Sequence, residues 1–151
     1  MGYAIRAAKQ GEEQRVIPLY EWLFAPPGVV PSSWDERRAA VALRQAIDSH
    51  DSALIVAEDD DSGELVGFIT GYQDMHSVRF GYRAWVEDLA VHPERRSEGI
   101  GKALLDAAKA WARECGATHL ELDSAETRTD AHRFYERENP SWRSVCFAWE
   151  L

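Results

Sequence analysis

Residues 84–115 read AWVEDLAVHPERRSEGIGKALLDAAKAWAREC, and the reading of this stretch decides how the rest of the chain is organised. Ala84 to Val91 reads as a strand, His92 to Glu98 as a turn, and a helix opens at Gly99, Ile100 and Gly101. Ile100, Leu104, Ala107, Ala108, Trp111 and Cys115 recur at helical spacing, while Lys102, Asp106, Lys109, Arg113 and Glu114 fill the opposite face. One side of that helix is therefore expected to pack and the other to meet water.

Upstream, Tyr3 to Ala8 alternates as a short strand, and Val16, Ile17, Tyr20, Leu23 and Phe24 form a helical face. Pro18 lies inside that face, so the helix either kinks there or takes Pro18 in its first turn. Ala25 to Ser33 (APPGVVPSS) holds three prolines and a glycine and reads as a loop, either a connector or a lid over a substrate site. Ser33 with Glu36 three residues on predicts a capping box for a second helix bearing Ala40, Leu43 and Ile47. Ser52 to Ala57 and Glu64 to Tyr72 read as strands joined by a hairpin turn at Glu58 to Gly63, whose aspartates lack calcium-loop spacing. A longer connection, Gln73 to Arg83, follows.

Downstream, Gly116 stops the long helix and His119 to Asp123 reads as a strand. Thr129 or Asp130 is the expected cap of a helix carrying Ala131, Phe134 and Tyr135. Val145 to Leu151 reads as a closing strand with Val145, Phe147, Trp149 and Leu151 on one face. This order predicts one α/β domain over residues 1–151, a mixed central sheet flanked by helices.

Composition narrows the partners. The 17 Lys and Arg residues against 26 Asp and Glu give a net charge of -9, which lacks the electrostatic footprint of a nucleic-acid binder. No run approaches the roughly 20 apolar residues of a membrane helix, and MGYAIRAAKQ lacks the apolar core of a signal peptide. Two cysteines, Cys115 and Cys146, make no disulfide framework in a chain this long. The expectation is a soluble cytoplasmic protein with no nucleic-acid or membrane partner.

Arg96 to Gly101 matches R-x-x-G-x-G at the mouth of a helix. Amides in a first helical turn have no intrahelical acceptor and carry the positive end of the helix dipole, so they suit a pyrophosphate. Glycines there let the phosphate approach the amides, and Arg95, Arg96 and Lys102 add positive charge to an acidic chain. The glycine spacing fits neither the dinucleotide fingerprint nor the P-loop.

L-A-V-H-P-E directly before R-x-x-G-x-G, two helices near the N-terminus, and A-x-x-F-Y (Ala131, Phe134, Tyr135) together resemble the GNAT family of acetyl-CoA-dependent N-acetyltransferases over nearly the whole chain. The resemblance implies the GNAT fold and acetyl-CoA as co-substrate, with no metal. It places the pyrophosphate on Arg96, Ser97, Glu98, Gly99, Ile100, Gly101 and Lys102, with Arg95 alongside. Pantetheine would run beside Leu89, Ala90 and Val91 like an added strand, with Ala131, Arg133 and Phe134 flanking it. The sheet would splay between the strands at Ala84 to Val91 and His119 to Asp123. Two departures stand out: Arg128 where many members have Asn, and Asn139-Pro140 where many have Gly-Phe.

Acetyl transfer needs a neutral amine, and a primary amine with a pKa near about 10.4 is mostly protonated at neutral pH. Glu87 and Asp88 are the candidate bases. A regular strand points them to opposite faces, and a bulge would bring both to the cleft. The Glu-Asp pair resembles the same strand in spermidine/spermine acetyltransferases, and Glu87 is the preferred base with Asp88 second. Tyr135 matches the family's general-acid tyrosine. Direct attack in a ternary complex is the expected route, since neither cysteine has a base beside it in sequence. His76, His92 and His132 show no metal spacing.

The function implied is acetyl transfer to a small cationic amine, polyamine-, aminoglycoside- or aminoalkyl-like, with Trp22, Trp34, Tyr72 and Trp85 available to line an apolar pocket. Acetylation of a protein N-terminus or lysine is the alternative within enzymes, and a non-catalytic acetyl-CoA sensor the alternative outside them. In family members with so short a tail the last strand pairs across a subunit boundary, so a homodimer is expected.

Overall fold

The computed structural model describes residues 2–151. Five strands, β1 (Tyr3–Ala7), β2 (Ser52–Asp59), β3 (Leu65–Gln73), β4 (Arg83–Val91) and β5 (His119–Leu122), lie side by side in chain order. The first four are antiparallel neighbours and β5 joins β4 in parallel. Helices α1 (Glu13–Val16), α2 (Tyr20–Phe24) and α3 (Glu36–Asp48) precede β2, α4 (Ile100–Glu114) links β4 to β5, and α5 (Thr129–Arg137) follows β5.

Strand alternation divides the core. Leu54, Val56, Leu65, Phe68 and Ala90 pack with Val16, Tyr20 and Leu43 from α1 to α3. Ile55, Ala57, Val66, Ile69 and Val86 pack with Ile100, Leu104, Leu105 and Ala108 of α4, with Phe134 and Tyr135 of α5 against them. Each fully buried large side chain, such as Phe68 or Leu104, contributes on the order of 2 kcal/mol from desolvation. Gly67 sets the spacing on the α4 side, because a Cβ there would lie 3.1 Å from both Ile100 and Leu104.

Local details correct several expectations. Pro18 neither kinks one helix nor starts it; it sits in a short 3-10 turn, Ile17–Leu19, that separates α1 from α2. Asp35, not Ser33, caps α3 by accepting from the Arg38 amide, since its extended backbone aims the carboxylate at the first turn. Thr129 and Asp130 lie inside α5, whose N-cap is Arg128 without a side-chain cap. Leu105 and Ala112 are buried on α4 outside the expected stripe, and Cys115 is only half-buried.

The closing strand is the main difference. Residues 140–151 form no strand and no backbone hydrogen bond, and Val145, Phe147, Trp149 and Leu151 are all exposed. Alternation makes a segment fit for a sheet, but a strand exists only where an edge accepts its backbone. The tail is held by side chains: Trp142 packs on His119 (centroids 5.2 Å) and Phe80 (6.2 Å), and Arg143 bonds Glu136 at 2.6 Å.

Candidate active site

β4 and β5 pair only from Arg83 to Val86 against His119 to Leu122. β5 ends at Leu122, opposite Val86, so Asp88 to Val91 keep β3 as their neighbour on one side with β5 absent from the other. A bulge sits at that point: Thr70 faces Asp88 and Gly71 faces Val86, which leaves Glu87 as the extra residue. Alternation is thereby reset. Val86, Leu89 and Val91 pack towards α4, whereas Ala90 joins the α1–α3 side, where Asp88 also bonds Tyr20. Gly71 permits the bulge, since a Cβ there would meet the Trp85 carbonyl and the Trp111 ring at 3.0 Å.

Asp88 is held at both ends. Its amide donates to Thr70 Oγ1 at 3.0 Å, and its Oδ2 accepts from the Tyr20 hydroxyl at 2.7 Å. Burial raises the Asp88 carboxyl pKa, and the Tyr20 hydrogen bond and the charge of Arg128 oppose that rise. Glu87 is also raised, first by desolvation in the cleft and then by repulsion from Asp88 and Asp123. Tyr20 is buried beside both acids and is held protonated far above the usual phenol range. From the sequence Tyr20 reads as one residue of the apolar face Val16, Ile17, Leu23 and Phe24, and its hydroxyl in the middle of that face is the signal of a polar role.

At the turn, Gly99 adopts φ +81, a left-handed conformation that side chains resist. The amides of Gly99, Ile100, Gly101 and Lys102 donate to no protein acceptor among the described residues. That row of free donors fits a pyrophosphate. The positive charges read from the sequence are mostly engaged elsewhere. Arg95 bonds Asp59 Oδ2 at 2.7 Å and Glu98 at 2.6 Å, and Lys102 bonds Asp106 at 3.0 Å and Glu138 at 3.2 Å. Arg96 alone of the three lacks an acid partner; its Nε donates to the Val91 carbonyl at 3.3 Å. Ser97 and Glu98 are exposed at the same turn.

α5 closes the α4 side of the opening. A Cβ at Gly101 would touch the Phe134 ring at 3.6 Å, so Phe134 stands directly over the helix mouth. Tyr135 beside it has its pKa pushed up to about 12 by burial, with Arg128 working the other way. Ala131 is half-buried on this helix, while Arg133 is exposed and pairs with Asp130. Of the aromatics expected to line a pocket, Trp34 packs on Tyr20 (5.4 Å) and Phe24 (4.8 Å), and Trp22 meets His92 edge-on at 5.1 Å. Trp85 donates to Asp74 at 3.0 Å, and Tyr72 is exposed. No group of three His, Cys, Asp or Glu with metal-binding proximity occurs among the described residues.

The model of the acetyltransferase (GNAT) family matches residues 16–139. The uncharacterized N-acetyltransferase YhfO of Bacillus subtilis is 30% identical over 133 residues, covering 88% of this chain and 86% of that protein. The aminoalkylphosphonate N-acetyltransferase of Salmonella typhimurium is 39% identical over 77 residues, covering 51% of this chain and 50% of that protein. Among solved structures, AAC(6')-Iy in complex with the bisubstrate analogue CoA-S-monomethyl-acetylneamine superimposes with a TM-score of 0.80 at 17% identity, over 100% of both chains.

Proposed function

The chain belongs to the acetyltransferase (GNAT) family and is an acyltransferase; from that premise we propose that residues 1–151 form one domain transferring acetyl from acetyl-CoA to the primary amine of a small cationic acceptor, polyamine-, aminoglycoside- or aminoalkyl-like. The observation that supports this reading is the bulge that sets Glu87 and Asp88 just past the end of β5, with Arg128 near enough to bias both Asp88 and Tyr135.

Each residue has a task. The free amides from Gly99 to Lys102 hold the pyrophosphate, and the unpaired edge of β4 from Leu89 to Val91 offers backbone groups to an extended pantetheine. Acetyl-CoA supplies the activated acyl group. Asp88, fixed by Tyr20 and Thr70, attracts the acceptor's ammonium. Glu87 at the bulge takes the proton that makes the amine a nucleophile. Its raised pKa brings it closer to the amine it must deprotonate, which favours the transfer. Tyr135 remains protonated through neutral pH and gives its proton to the departing sulfur.

Two further parts of the reading concern setting and assembly. Both cysteines are free, in keeping with a reducing cytoplasm. The tail's exposed apolar alternation, next to a β5 edge with a free side, supports a homodimer in which each tail finds its edge on the second copy.

The test is thiol release from acetyl-CoA with a panel of amines. Acetyl-CoA binding without release for any amine would leave a sensor module instead. Glu87→Gln should shift the acid limb of the pH–rate profile, a limb expected above the ordinary glutamate range. An unaltered profile would assign the base to Asp88.

A further inference from the structure

Four arginines are not exposed: Arg6, Arg83, Arg95 and Arg128. The first three each pair with a carboxylate, at 2.7 Å to Glu12, 2.6 Å to Asp74 and 2.7 Å to Asp59. Arg128 pairs with none among the described residues, in a chain that carries 26 acids. The Arg128 nitrogens that bond no protein acceptor are not shut away from solvent, and Asp88 feels the charge without bonding it, so the guanidinium is free to take an anion from outside.

Its surroundings are built for it. Arg128 Nη2 donates to the Leu23 carbonyl at 2.9 Å, and Nε and Nη1 have no acceptor among the described residues. Gly28 makes room: a Cβ there would stand 2.7 Å from Nη2 and 2.2 Å from the Leu23 carbonyl. Arg128 directly precedes α5, which packs on the α4 side of the sheet, yet its bond is to α2 on the other side. It therefore reaches past the opening between β4 and β5. α2 also holds Asp88, through Tyr20 three residues before Leu23. One turn of helix thus tethers an anion and a cation at the same cleft, and the field of Arg128 is felt at both Asp88 and Tyr135.

We propose, resting on the acetyltransferase reading above, that Arg128 is a specificity residue that binds an anionic group of the acceptor, so that the acceptor is a small aminoalkyl acid carrying a carboxylate or phosphonate as well as the amine. The fork of guanidinium N–H groups suits two oxygens of such an anion, while Asp88 and Glu87 receive the ammonium end. Acceptors that bring only positive charges meet Arg128 as a like charge, which selects against polyamines and aminoglycosides within the broader amine class.

The experiment compares 2-aminoethylphosphonate and β-alanine with propylamine and 1,3-diaminopropane on the full chain, by thiol release from acetyl-CoA. The acid-bearing amines should exceed the other two by about tenfold or more in kcat/KM, the scale of a charge-assisted hydrogen bond. Arg128→Gln should lower kcat/KM for the acid-bearing pair about tenfold further than for propylamine, through KM, and should raise 1,3-diaminopropane relative to propylamine. Arg128→Lys should fall between. Equal losses on all four amines would reduce Arg128 to a cap on α2 or an aid to chemistry, and a wild-type preference for the diamine would also overturn the assignment. Calorimetric titration of 2-aminoethylphosphonate into wild type and Arg128→Gln separates the two readings. Arg128-dependent binding without thiol release would sink the acetyltransferase reading alone, and equal binding to both proteins would sink the Arg128 assignment.

Discussion

The two sides of the cleft are assembled in different ways. The proposed cofactor side is one contiguous run, Arg95 to Lys102, whose donors are backbone amides and whose shape comes from a left-handed glycine and a helix start. Its charged side chains mostly brace the turn against the chain's own acids, with Arg95 fastened to the β2–β3 hairpin through Asp59. The proposed acceptor side is drawn from residues far apart in sequence: Tyr20 and Leu23 on α2, Asp88 on β4, and Arg128 before α5. Its donors and acceptors are mainly side chains. A site made of backbone tolerates changes in its side chains, whereas a site made of distant side chains can be retuned one residue at a time. The two sides should therefore respond separately to substitution.

The largest effect is expected where the sides meet. Tyr135→Phe should lower kcat by about a hundredfold while leaving acetyl-CoA affinity within about twofold, as for a proton donor used only in the reaction. A pKa of about 12 keeps that hydroxyl protonated throughout neutral pH, so the loss should be flat from about pH 6 to pH 9. Single-turnover rates and direct acetyl-CoA binding check this, and an unchanged kcat would remove Tyr135 from the chemistry.

A smaller, one-sided effect is expected from Asp59→Asn. The substitution leaves Arg95 with Glu98 alone, loosening the turn from the hairpin and raising KM for acetyl-CoA about tenfold with acceptor KM unchanged. Asp59 is held below the usual carboxylate range, first by the Ser62 amide and then by the Arg95 guanidinium. A depressed folded-state pKa adds stability above the unfolded value and loses it as pH falls towards the folded one. The gap in melting temperature between wild type and Asp59→Asn should accordingly shrink below about pH 4. A parallel rise in acceptor KM would show that the two sides are not separable.

The same division explains what could be read from the chain before its structure was known. The β4 strand, the turn and α4 were legible because strand alternation, helix period and glycine placement all act over a few residues. Arg96 to Gly101 needed no tertiary information. The bulge at Glu87 could be raised only as an option, because it depends on how Gly71 and Thr70 register against β4. Arg128 was visible only as a departure from a pattern, since its partner Leu23 is brought beside it by the fold. The tail failed for a related reason: Val145 to Leu151 has the alternation of a strand, but pairing belongs to the edge as much as to the segment.

The finest separation concerns Tyr20. Tyr20→Phe keeps a ring of nearly the same shape against Phe68 (centroids 4.9 Å) and Trp34 (5.4 Å), so packing is preserved while the 2.7 Å bond to Asp88 is lost. Losing the bond that holds Asp88 should raise acceptor KM about fivefold, less than a charged hydrogen bond to the acceptor itself would, because Thr70 still holds the Asp88 amide, with kcat nearly unchanged. The sign of the pH effect follows from the same bond. Tyr20 opposes the burial that raises the Asp88 pKa, so without it the carboxyl should titrate at higher pH. The ionised form is the one that attracts an ammonium, and the acid limb of acceptor kcat/KM should therefore move upwards in Tyr20→Phe. Acetyl-CoA affinity should not move with it, because the amides of Gly99 to Lys102 are fixed by their own turn and not by α2.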